Sequence, residues 1–170
     1  MPIAPNVKIV EFDITSATSG MWVNYVNTST RALNFGAIDN SVSGVVGSTK
    51  VIAASGVEFN GNSVIHNMKF YLISISDWTT GDFRFLMDKS NTWTTNKVLT
   101  TSDDEVPTSP PSSQNYYRLG GGTQITGSGQ VDGLGQWLYL AVYAGTSVPD
   151  GTYGGVGGGG FRARFSYDYY

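Results

Sequence analysis

Residues 137–144, Trp-Leu-Tyr-Leu-Ala-Val-Tyr-Ala, constrain the fold more than any other stretch of the chain. Read as a strand, the run puts Trp137, Tyr139, Ala141 and Tyr143 on one face and Leu138, Leu140, Val142 and Ala144 on the other. Both faces are apolar, which suits a strand covered on both sides. Turn and glycine signals then lead to a second run of a different kind. Phe161, Ala163, Phe165, Tyr167 and Tyr169 alternate with Arg162, Arg164, Ser166, Asp168 and Tyr170, the period of a strand with one aromatic face on a core. The Val148–Tyr153 turn is short enough for this last strand to return beside 137–144.

The rest of the chain reads the same way. Pro2 and Pro5 keep the first six residues extended, an N-terminal arm at 1–6. From residue 7 to 170 a single β-domain is expected. Val10, Phe12 and Ile14 mark the buried side of its first strand, and 21–27 form the second. Leu33, Phe35 and Ala37 share a face in 32–38. Gly47 and Gly56 break 45–59 into two short strands. Asn60-Gly61 is a hairpin signal leading into 63–76, where Met68, Phe70 and Leu72 oppose Lys69, Tyr71 and Ile73. Phe83, Phe85 and Met87 alternate with Arg84 and Leu86. Residues 100–115, with three of the six prolines and no apolar period, make a long exposed loop, after which 116–119 resume a strand. No segment has sustained helical spacing with caps. The expected fold is all-β, an antiparallel β-sandwich or jelly roll of roughly eight to ten strands.

Composition enters when function is asked for. Only 14% of residues are charged, against a norm of roughly 25%, so Ser, Thr, Asn, Gly and Tyr face solvent, as in shells, fibres and extracellular β-proteins. A net charge of -3 gives no basic footprint for nucleic acid or an anionic membrane. The opening MPIAPNVKIVEF lacks the regions of a signal peptide, and no apolar run is long enough to span a bilayer as a helix.

Catalytic constellations are missing from the sequence. With one histidine and no cysteine, the common zinc sets and HExxH are absent, and no GxSxG elbow accompanies His66. His66 falls two residues before Met68, on the same face, and reads as structural. The three glutamates, Glu11, Glu58 and Glu105, lack the surroundings of glycosidase carboxylates. Asp103, Asp104 and Glu105, with Asp132, are the candidate ligands for a hard cation such as Ca²⁺. Their spacing matches no calcium loop and reads as a solvated acidic loop, so no metal and no cofactor are expected. Gly120–Gly122 and Gly157–Gly160 lack the ending of a phosphate loop. Of the four tryptophans, Trp78 and Trp93 flank Thr- and Asn-rich turns and are the candidate platforms for a sugar ring.

The ending VPDGTYGGVGGGGFRARFSYDYY, through Val148, Pro149, Gly151, Thr152 and Tyr153, resembles the closing hairpin of immunoglobulin-like fimbrial and coat subunits. It departs from them in its inserted glycines and lack of a cysteine pair. The chain as a whole is similar to structural proteins of tailed phages in its Met start, absence of an export signal and of cysteine, extended arm and Gly/Ser/Thr/Asn-rich β-pattern. These resemblances imply a non-enzymatic assembly protein, a virion component such as a capsid decoration or head-stabilising subunit, made in the host cytoplasm. Pro2, Ile3 and Pro5 would contact neighbouring subunits. The partners would be copies of itself and other shell or fibre proteins, without nucleic acid or membrane insertion. A secreted pilus subunit using strand donation, outside the cell, and a carbohydrate-binding module with a glycan ligand remain the alternatives.

Overall fold

The computed structural model describes residues 5–17, 22–25, 33–58, 64–74, 78, 81–125, 133–151, 153 and 162–170. Nine strands follow one another among them: β1 (Asn6–Phe12), β2 (Trp22–Tyr25), β3 (Lys50–Glu58), β4 (Ile65–Ser74), β5 (Phe83–Ser90), β6 (Asp104–Glu105), β7 (Gln124–Ile125), β8 (Trp137–Ala144) and β9 (Arg162–Tyr169). They form a six-stranded sheet, β2-β1-β3-β8-β5-β6, and a three-stranded sheet, β7-β4-β9, with every pair antiparallel. The fold is all-β, a β-sandwich. Among the described residues no helix is long and apolar enough to cross a membrane.

The all-apolar run of β8 explains its position. Flanked by β3 and β5, it is buried at every residue. Leu138, Leu140 and Val142 point into the layer between the sheets, with Ile52 and Ala54 of β3 and Phe85 and Met87 of β5. From the smaller sheet Met68, Phe70 and Leu72 of β4 and Ile125 of β7 close this core. The opposite face of the larger sheet is also covered. Trp137, Tyr139, Ala141 and Tyr143 gather with Val10, Phe12, Val51, Ala53 and Leu86 beneath Leu99 and Leu134, with Val46, Trp93 and Leu119 packed alongside. Burying a large apolar side chain contributes about 1.5–3 kcal/mol, so β8 anchors two cores at once.

Several local expectations fail for identifiable reasons. The last strand does not return beside β8, whose two neighbours are already β3 and β5; it crosses to the other sheet and pairs with β4 from Ile65↔Tyr169 to Ser74↔Arg162. Nor do β3 and β4 form a hairpin, since they belong to different sheets, and Asn60-Gly61 lies outside the described residues. Within 45–58, Val46 makes an isolated bridge to Tyr143 and the nine-residue β3 follows, not two short strands. Residues 33–39 form no strand, although Leu33, Phe35 and Ile38 pack against the inner core. In 116–119 only Arg118 makes a bridge, to Gly135.

The loop at 100–115 is exposed at most positions but held at several. β6 pairs with Leu86 and Met87 in the middle of β5, Val106 N–H donates to Phe85 C=O at 2.8 Å, and Leu72 N–H donates to Pro107 C=O at 2.8 Å. Asn115 bonds both backbone groups of Phe70 through its side chain, at 2.7 and 2.9 Å, and Lys89 Nζ donates to Asn115 C=O at 2.6 Å. The segment thus runs from the edge of one sheet to the edge of the other and covers the β4 side away from β9.

Tyr116, which ends this segment, is fully buried. Its hydroxyl accepts from Ala54 N–H at 3.0 Å and donates to Gln136 C=O at 2.7 Å. A side-chain oxygen is thereby inserted between β3 and the lead-in to β8, where direct β3–β8 pairing, confined to Lys50–Ile52, has ended. Burial pushes the phenol pKa up. Gly135 makes room for the ring, since a Cβ there would meet Tyr116 Cε1 at 2.1 Å.

Candidate functional site

β9 is the longest edge strand among the described residues. On one side it is bonded to β4; on its other side no described residue pairs with it. Its alternating sequence sets Ala163, Phe165 and Tyr167 toward the core and Arg162, Arg164, Ser166 and Asp168 outward. The expected aromatic face is only half realised. Phe165 and Tyr167 are half-buried, Ala163 is exposed, Tyr169 is 42% exposed, and Phe161 lies outside the described residues. The reason is position: an edge strand of the narrower sheet reaches past the rim of the core.

Phe165 is held with its ring 4.7 Å from Phe70 and 4.7 Å from Tyr116. Tyr167 donates its hydroxyl to Pro5 C=O at 3.4 Å, and burial raises its pKa. Between β9 and β1 lies an open groove of about 430 Å³, lined by Val7, Ile9, Ile73, Ala163, Arg164, Phe165 and Tyr167. Ile73 is 45% exposed and Tyr170, just past the strand, 53%. Tyr170 lies beside the His66 ring at 5.2 Å and accepts from Gln124 Nε2 at 2.9 Å. A groove with both apolar and polar walls along an open strand offers backbone hydrogen bonds for affinity and side-chain pockets for selectivity, the chemistry of strand addition.

His66 does not share the face of Met68. Asn67 adopts φ +53, the β4–β9 register shifts between His66 and Lys69, and the extra residue puts Ile65, not His66, into the core. The acidic trio is not drawn together: Asp103 Oδ2 accepts from Thr100 N–H at 2.6 Å, Asp104 pairs with Met87 and Glu105 with Leu86. Asp132 lies outside the described residues. Among those described, no group of three or more His, Cys, Asp or Glu is placed to hold a metal ion. Glu11 opposes Ile52 on β3, six residues from Glu58, about 20 Å along the strand, and three strands lie between it and Glu105, about 19 Å across the sheet. Neither separation is that of a glycosidase pair, roughly 5–9.5 Å.

Trp93 Nε1 donates to Ser16 C=O at 3.0 Å, and its ring lies 5.1 Å from Trp137 and 6.4 Å from Phe12, within the outer core. Trp78 is half-buried among Phe83, Phe85 and Tyr153, at 5.1, 5.2 and 5.8 Å. Both expected platforms are thus engaged in ring packing. Of the arm, Pro2 and Ile3 lie outside the described residues, whereas Pro5 is buried by its own chain and β1 begins immediately after it.

Sequence reasoning missed the groove residues Val7, Ile9, Ile73 and Arg164. The exposed Ile73, opposite the Met68, Phe70 and Leu72 face, was the available signal. Searches with family models, curated proteins and solved structures found no match.

Proposed function

We propose that this chain is a non-enzymatic structural assembly protein, a virion component of the capsid-decoration or head-stabilising kind. The observation that carries the reading is the open β9 edge beside a groove lined by Val7, Ile9, Ile73, Phe165 and Arg164, on a domain whose central strand β8 is buried on both faces. With β8 covered on both faces, β9 and its groove offer a surface suited to a protein neighbour. The low proportion of charged residues supports it, since shells bring many like-charged copies together. The filament alternative differs in one respect: strand-donating subunits need a strand from a neighbour, whereas here β9 of the same chain fills the place beside β4. The test is quantitative mass spectrometry of gradient-purified particles from cells making the protein. A fixed ratio to the shell protein is expected, and absence from particles would refute the reading.

A further inference from the structure

We propose that two copies of this chain pair along β9 about a two-fold axis through Ser166, joining their three-stranded sheets into one six-stranded sheet; this deepens, and rests on, the assembly reading. Tyr170 exchanges both backbone hydrogen bonds with Val64, at 3.0 and 3.1 Å. Residues of the same parity on β9 therefore direct their backbone groups toward β4, and Ala163, Phe165, Tyr167 and Tyr169 direct theirs outward. None of those four meets a backbone partner on that side among the described residues.

Antiparallel self-pairing must set these outward residues against one another, so its axis passes through a residue. Centred on Ser166, every position from Arg162 to Tyr170 finds a counterpart: Arg164 opposes Asp168 twice, Phe165 opposes Tyr167 twice, and Arg162 opposes Tyr170. Centring on Arg164 sets that arginine against its own copy, and centring on Phe165 or Tyr167 leaves one end of the strand unmatched. Charge on an edge strand ordinarily keeps other chains away. Here the positive charge lies in the first half of β9 and the negative in the second, which is self-complementary across a two-fold axis. Arg164 has no ion-pair partner among the described residues, and Asp168 uses one carboxylate oxygen, Oδ2, to accept from Asn67 Nδ2 at 2.8 Å.

The chain has no cysteine, so one introduced thiol reports the register. At the axis the two Ser166 residues form a non-hydrogen-bonded pair with Cα atoms about 4.5 Å apart, within disulfide reach. Ser166→Cys should oxidise to a covalent dimer, while Ser102→Cys, on the exposed loop, should not. In sedimentation, Arg164→Asp should weaken the dimer about tenfold, because two attractive cross-strand pairs become repulsive, and adding Asp168→Arg should restore it. Circular dichroism verifies that each variant keeps its β-fold. A chain that enters particles but whose Ser166→Cys form does not cross-link refutes β9 pairing and leaves the assembly reading standing. A chain that is monomeric at every concentration and absent from particles refutes both.

Discussion

Replacing Tyr116 with phenylalanine should destabilise the domain by about 2–3 kcal/mol, although a single oxygen is removed. The ring stays against Phe165 and over Gly135, so packing is unchanged. What is lost is the inserted hydroxyl. Ala54 N–H, in a residue 1% exposed, is left without an acceptor, and an unsatisfied buried donor costs about 1–3 kcal/mol. Gln136 is half-buried, so its carbonyl can turn to water and adds less. Against a total stability of about 5–15 kcal/mol this is easily measured by urea unfolding, where the midpoint should fall with an unchanged slope. A variant within about 0.5 kcal/mol of the parent, inside the ordinary range for surface substitutions, would show that the hydroxyl does not bridge the two strands in solution. Gly135→Ala tests the other side of the arrangement. It should be strongly destabilising in the parent and much less so beside Tyr116→Ala, a coupling that a double-mutant cycle reads directly.

Gly81 has φ +85, and a Cβ there would meet Val148 Cα at 2.8 Å; Gly81→Ala should cost at least about 1–3 kcal/mol in the same assay, and a neutral result would contradict the close approach. Glu11 is raised in pKa by burial, partly offset by Lys50 at 3.9 Å. Its folded form holds a proton more readily than its unfolded form, so stability should fall as pH rises from the ordinary 4.5 through the raised value, and Glu11→Gln should flatten that slope. Soluble glycans should leave tryptophan emission unchanged, given the ring packing of Trp78 and Trp93. Quenching that either Trp78→Ala or Trp93→Ala abolishes would promote the sugar-binding alternative.

Strand identity was legible wherever burial is one residue deep and local. The alternation in 137–144 and 83–87 carried the correct faces because β8 and β5 lie in the middle of the large sheet and every position reports its layer. Pairing was not legible. Nothing in FRARFSYDYY states that its neighbour is β4, because cross-strand partners are chosen by the whole topology and not by the alternation of either strand. His66 shows the same limit at a single residue: one left-handed Asn67 reverses the parity upstream, and Asn is among the residues that tolerate this without announcing it. The groove combines β1, β4 and β9, three strands that share no local signal.

The pairing of β4 with β9 also sets a clock for the newly made chain. Asn67 and Asp168, bonded in the finished sheet, are 101 residues apart. At about 5–20 residues per second, β4 emerges from the ribosome roughly 5–20 s before the strand that completes its sheet, and the edge of β4 that β9 takes stays unpaired for that interval. The large sheet waits too, since β3 and β5 meet only through β8. Both sheets are therefore complete only when nearly all of the described chain has been synthesised, and until then the β9-facing edge of β4 lacks its native strand.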